Sequence, residues 1–129
     1  MGAAMSAAID VIVFLHTRFA YALILFAAIL GIWGIVAYAT RRRISPGFRS
    51  AFVLMIALTA AQGLAGVIVF ATGQRPGELL HVVYGIFAIV FLPGVYFYAA
   101  RRTPQLEGML MVISCWVVAI AYGRGLMTG

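Results

Sequence analysis

The chain has 129 residues, of which 65% are apolar and only 9% are charged, and its formal net charge is +6. This composition excludes an ordinary soluble domain and indicates an integral membrane protein. All nine basic residues are arginines, and they lie mainly at the ends of apolar runs. Membrane topology explains that placement better than nucleic-acid binding does, so we expect no nucleic-acid partner.

Four apolar runs follow one another along the chain, and each can supply the roughly 20 residues that cross a bilayer as a helix. Ser45-Pro46-Gly47 predicts a turn before the second run, and Pro76 suits the first turn of the third helix. We expect an all-α membrane protein of one domain, a four-transmembrane-helix bundle with helices at about 7–40, 51–72, 78–100 and 105–122 and a short tail, GRGLMTG.

The distribution of arginines predicts how the bundle is oriented. Most of them lie in the loops between helices 1 and 2 and between helices 3 and 4, whereas the remaining loop contains only Arg75. The positive-inside rule then places both arginine-rich loops in the cytoplasm and both termini outside. We expect a multi-pass protein of a prokaryotic plasma membrane. The N-terminus has no basic region typical of a secretory signal, and the single Cys115 forms no intramolecular disulfide.

Two histidines stand out in this apolar sequence. His16 lies near the outer end of helix 1 and His81 near the outer end of helix 3, and these helices run in the same direction. Polar groups in or near the apolar zone are costly and usually serve a task or a partner. A hydrogen bond to a neighbouring helix is one explanation. The other is that both imidazoles are axial ligands of one haem iron, held on facing helices of the bundle.

Small residues share a helix face with each histidine, as a flat macrocycle beside its ligand would require. The same residues also suit close packing of membrane helices. They are Ala20, Ala27, Gly31 and Gly34 for His16, and Gly85 and Ala88 for His81. The depths of the two histidines in the membrane match less well when they are counted from the arginines that end each helix. His16 is 25 residues before Arg41, and His81 is 20 before Arg101. That difference corresponds to about 7 Å along a helix.

Charged residues near the same outer face are candidates for supporting roles. Arg18 and Arg75 would neutralise haem propionates through charge-assisted hydrogen bonds, or extend to lipid headgroups. Glu78, three residues before His81, would hold the imidazole, pair with Arg75, take part in chemistry, or simply favour a helix N-terminus.

The sequence resembles the haem A synthase family over most of its length. AQGLAGVIVFATG at residues 61 to 73, followed by LLH at 79 to 81, is similar to the family's QGxxG helix, short outer loop and ALH helix. LHTR at residues 15 to 18 is similar to its ExxHR segment. The order of helices matches one half of the duplicated eight-helix synthase. The resemblance implies that His16 and His81 are axial ligands of haem b or haem O, whose methyl group the family oxidises to a formyl group, giving haem A.

The sequence departs from the family pattern at several positions that bear on catalysis. Val13 stands where the family has a glutamate, the arginine after the first histidine is displaced to Arg18, and the outer-loop cysteine pair is absent. Glu78 does not match the position of the family's glutamate, so the resemblance assigns no catalytic role to Glu78. A half-length chain would suit a homo-oligomer or a place in a larger complex.

Three functions compete on this basis. The first is a haem-binding membrane protein with His16 and His81 as iron ligands and Arg18 and Arg75 near the propionates, acting in haem modification or electron transfer. The second is a small non-catalytic subunit of a respiratory or photosynthetic complex. A transporter or channel has little support, because no acidic residue lies in the middle of a span.

Overall fold

A computed structural model describes residues 2–41 and 43–129, and helices account for most of them. The four helices are α1 (Gly2–Arg41), α2 (Pro46–Ala71), α3 (Leu80–Ala99) and α4 (Pro104–Thr128). Each is long and apolar enough to span a membrane, and the described residues include no strand. The chain is therefore a multi-pass all-α membrane protein, as predicted.

Proline and a capping side chain begin two of the helices earlier than predicted. Ser45 caps α2, since its hydroxyl accepts a hydrogen bond from the Phe48 amide at 3.1 Å, and Pro46 occupies the first turn. The segment expected to be a turn therefore starts the helix, five residues before position 51. Thr103 caps α4 in the same way, ahead of Pro104. Proline suits this position because the first helical amides have no partner within the helix.

The loop between α2 and α3 is longer than predicted. α2 stops where Gly73 adopts a φ of +95°, a left-handed conformation that glycine accepts without strain. Pro76 lies in the loop, and α3 begins only at Leu80, so the expectation that Pro76 starts the third helix is wrong. The predicted tail after residue 122 is also helical, because α4 continues to Thr128 against this loop, where the Glu78 amide donates to the Thr128 carbonyl at 3.0 Å.

The helices form an antiparallel bundle in which each contacts the next in sequence and α4 closes the ring against α1. α4 has the largest interfaces, with α1 and α3, whereas α2 and α3 share the smallest. We call the end with both termini and the α2–α3 loop the histidine end. The opposite end, with the α1–α2 and α3–α4 loops, is the arginine end.

The apolar core occupies the middle of the bundle and its arginine end. Its largest fully buried side chains include Phe48, Phe52 and Met55 of α2, with Leu92 of α3 and Met111 of α4. Toward the histidine end the helices bury little apolar surface: no apolar residue of α2 after Met55 is buried. In α1 the buried residues begin at Leu23, and residues 2–15 extend along the exposed part of the helix.

Candidate functional site

His16 of α1 and His81 of α3 are neighbours at the histidine end. Their ring centroids are 6.0 Å apart and their ring planes are inclined at 71°. Counting residues back from the arginine clusters predicted that the two histidines would differ in depth by about 7 Å. In the structure the rings are neighbours despite that count. Two residues 65 positions apart therefore form one polar pair in an apolar region.

The imidazole of His81 is oriented by the last turn of α4. Its Nδ1 lies 2.7 Å from the Gly125 carbonyl oxygen. A carbonyl only accepts, so this hydrogen bond requires the proton on Nδ1 and leaves a lone pair on Nε2. Gly129 fits tightly against the ring, since a β-carbon at that position would lie 2.8 Å from His81 Nδ1. The helical extension of α4 thus selects the tautomer that can bind a metal through Nε2.

His16 is held by α2. The side-chain amide of Gln62 donates to the His16 backbone carbonyl at 2.7 Å. His16 Nδ1 and Gln62 Oε1 are both buried, and neither has a hydrogen-bond partner within the described structure. Their needs are complementary, because a protonated Nδ1 requires an acceptor and the amide oxygen requires a donor. Gln62 is thus suited to select the Nδ1-protonated tautomer of His16.

Gly66, one helical turn beyond Gln62, allows the ring of His16 to lie close to α2. A β-carbon at position 66 would lie 3.2 Å from His16 Cε1 and 3.7 Å from Nε2. This spacing is tighter than ordinary van der Waals contact, so a larger residue would displace the imidazole. The second glycine of the QGxxG pattern is therefore part of the histidine's surroundings.

Two residues of the groove expected beside His16 lie at a helix interface instead. Gly31 and Gly34 face α4, where β-carbons would lie 2.7 Å from the Trp116 ring and 2.6 Å from Val112 Cγ2. These glycines bring two helices together, which is the packing role of small residues in membranes. Around His81, Gly85 has open space beside it and Ala88 is buried.

Arg18 and Arg75 make contacts within their own segments. The guanidinium of Arg18 lies 5.2 Å from the centre of the Phe14 ring. That of Arg75 lies 3.9 Å from the Phe70 ring and donates to the Phe70 carbonyl at 2.6 Å. Both side chains are exposed. The structure does not bring either arginine into contact with the histidine pair.

The carboxylates near the site are also not joined to the histidines. Glu78 is exposed in the α2–α3 loop. Val13 is part of the regular helix, its carbonyl accepting from the Thr17 hydroxyl at 3.1 Å. No cluster of three or more His, Cys, Asp or Glu side chains occurs within residues 2–41 and 43–129. The site therefore offers two imidazoles and no third ionisable ligand.

A small cleft of about 130 Å³ opens beside His16 between α1 and α2. It is lined by Leu15, His16, Phe19, Ala61, Gln62 and Ala65. Sites for drug-sized ligands are larger, about 300 Å³ or more. In this arrangement of the helices, the cleft admits only part of a large planar ligand.

Comparisons with family models, curated proteins and solved structures give no significant match.

Sequence reasoning identified both histidines but missed some of the residues that orient them. Gln62 is visible in the QGxxG motif, yet the motif alone does not say that its amide meets His16. Gly125 has no sequence signal, because a backbone carbonyl acts there and the residue lies in a segment expected to be a tail.

Proposed function

We propose that the chain is a haem-binding membrane protein, similar to one half of haem A synthase, that holds a b-type haem between His16 and His81. The observation that carries this proposal is the distance of 6.0 Å between the two ring centroids. Two Fe–N bonds of about 2 Å, with about 1 Å more from each nitrogen to its ring centroid, require a centroid separation of roughly 6 Å.

The number of ligands favours haem over a bare metal ion. A structural zinc site uses four protein ligands and a catalytic one uses three. The histidine pair has no third ionisable partner among the described residues. Haem iron receives four nitrogens from its porphyrin and needs only two axial ligands from the protein. Two imidazoles are therefore a sufficient ligand set for haem and a poor one for zinc.

The surroundings of each ring support the same proposal. Metal-binding imidazoles usually donate their second N–H to a carbonyl, a carboxylate or water. His81 makes this hydrogen bond with the Gly125 carbonyl. Gln62 Oε1 is a buried acceptor near His16 that lacks a donor. Nε2 would then be the atom through which each histidine holds the iron.

Binding a whole porphyrin requires the histidine end to widen, because the cleft beside His16 measures about 130 Å³. The small α2–α3 interface and the small amount of apolar surface buried at this end favour opening there. Arg18 and Arg75, exposed near this end, would pair with the propionates after leaving their present contacts with Phe14 and Phe70.

Haem would supply one-electron redox chemistry when bound. The protein would serve either in electron transfer or in modification of the haem. Electron transfer requires nothing beyond the two ligands. Modification of the family's type would need a substitute for the glutamate that Val13 replaces, and Glu78 is exposed in the α2–α3 loop. We therefore favour a relative that keeps the haem site. We expect the bound haem to be haem b. Haem O and haem A are the alternatives that the same two histidines would hold.

The second candidate is a small non-catalytic subunit of a respiratory or photosynthetic complex, with the histidines facing a neighbouring chain or pigment. Leu64 and Val67 of α2 are exposed at the histidine end, where a neighbouring chain would take the place of lipid. In either case a second copy or a larger complex would cover this surface.

We propose both termini outside a prokaryotic plasma membrane and the arginine end in the cytoplasm. A reporter that is active only outside the cytoplasm, fused after Gly129, tests that orientation.

The test of haem binding is the absorption spectrum of the protein purified in detergent, before and after reduction. We expect a b-type spectrum in the unmodified chain and its loss in His16→Ala and in His81→Ala. Leu25→Ala and Leu80→Ala, which truncate exposed apolar side chains on the same two helices and outside the cleft, are the matched controls and should retain it. Added imidazole should restore the spectrum to the histidine variants. A colourless protein that is fully inserted and helical would refute the proposal.

Catalysis has a separate test, which is haem extracted from cells that also produce haem O. A formyl-bearing haem that depends on this chain would establish synthase activity. Haem-loaded protein without that product would leave a binding protein and reject the enzyme.

A further inference from the structure

A second cleft lies far from the histidines, between α1 and α4 near the arginine end. It is a surface cleft of about 290 Å³, lined by Ile35, Tyr38, Ala39, Met109, Val112 and Ile113. Deeper in the bundle, α1 and α4 approach closely where Gly34 meets Val112. Ile35 and Ile113 remain about half exposed, so the cleft faces outward from the bundle, where lipid surrounds a membrane protein.

The charge at the end of this cleft is strongly positive. Arg41 is three residues after Tyr38, so both lie on the same side of α1, and Arg43 follows in the loop. The α3–α4 loop adds Arg101 and Arg102 at the beginning of α4. An apolar cleft within the bilayer therefore ends beside cations at the level where lipid headgroups lie.

The acidic residue at this end does not cancel that charge. Glu107 of α4 is largely buried and forms an ion pair with Arg49 of α2. Its carboxylate is thus already neutralised on the inner side of the helix. Arg41 and Arg43 make no ion pair with a carboxylate of the described chain. Their positive charge is available to a ligand from outside the protein.

We propose that this cleft binds an anionic phospholipid, with an acyl chain between α1 and α4 and the phosphate against Arg41 and Arg43. Topology alone accounts for arginines in a cytoplasmic loop, but it does not require an apolar cleft directly below them. The combination matches a phospholipid, which is apolar along its chain and negative at its head. The site is independent of the histidine pair and of any haem.

The proposal is tested by native mass spectrometry of the full chain released from detergent, titrated with phosphatidylglycerol or with phosphatidylcholine of the same acyl chains. We expect one phosphatidylglycerol to be retained in preference to phosphatidylcholine. Arg41→Gln should weaken phosphatidylglycerol binding about fivefold, the value of roughly one interfacial charge. Arg124→Gln removes an exposed arginine at the opposite end and is the matched control.

A second pair of variants tests the cleft itself. Ala39→Leu fills it, whereas Ala22→Leu adds the same atoms to another exposed position of α1. We expect the first to reduce the retention of phosphatidylglycerol and the second to leave it unchanged, with equal helix content in both. Equal binding of the two lipids, an equal effect of Arg41→Gln and Arg124→Gln, or undiminished binding in Ala39→Leu would each overturn the proposal.

Discussion

At the arginine end of the bundle the helices meet through large buried side chains, whereas at the histidine end they meet through hydrogen bonds. Phe48, Phe52 and Met111 belong to the first region and are almost completely buried. The second region is joined by Gln62 to the His16 carbonyl and by His81 to the Gly125 carbonyl. The two regions therefore have different tasks. Apolar packing holds the bundle together at one end, and polar contacts orient side chains at the other.

This division predicts that stability depends mainly on the packed region. Phe52→Ala leaves a cavity among α2, α3 and α4, and it should lower the free energy of unfolding by about 3 kcal/mol. Equilibrium unfolding of the detergent-solubilised protein measures the change. Phe97→Ala, at an exposed position of α3, is the control and should cost much less. Similar losses in the two variants would show that the apolar cluster does not hold the bundle together.

The hydrogen bond between Thr59 and Tyr122 marks the boundary between the two regions. Thr59 is buried, and its hydroxyl donates to the Met55 carbonyl at 2.8 Å, so the Tyr122 hydroxyl is the donor in the bond between the two side chains. Thr59→Val keeps the side-chain shape and should cost about 1 kcal/mol, because interhelical hydrogen bonds in membranes have modest net energies. A double-mutant cycle with Tyr122→Phe measures the coupling. A coupling energy of zero would mean that the contact contributes nothing to stability.

The smallest effect on stability is expected at the histidine end. Gln62→Leu should change the free energy of unfolding by less than about 1 kcal/mol while weakening haem binding about tenfold, as the loss of a group that orients a metal ligand does. Haem titration of the purified protein measures the affinity. Gln105→Leu, on an exposed position at the arginine end, is the matched control. A large loss of stability with unchanged haem affinity would reverse the roles assigned to the two regions.

The fold was largely predictable from sequence because each span must be apolar over about 20 residues and its backbone must be hydrogen-bonded internally. Boundaries were less accurate where local signals allow two structures. Ser45-Pro46 serves a turn or a helix start, and GRGLMTG has no strong preference in isolation. In the structure this last segment is helical and contacts the rest of the bundle. The Thr128 carbonyl accepts a hydrogen bond from the α2–α3 loop, and the Gly125 carbonyl accepts one from His81.

The sequence by itself determined that this is a four-helix membrane protein with two histidines toward the same end. Hydrophobicity and the alternation of antiparallel spans are sufficient for that conclusion. Only the tertiary structure decided that the imidazoles lie 6.0 Å apart, that Gln62 bonds to the His16 backbone while the end of α4 orients the His81 ring, and that Gly31 and Gly34 contact α4. The physical reason is that tilt, rotation and closest approach depend on the packing between helices, and the periodicity of a single helix contains no information about its neighbour.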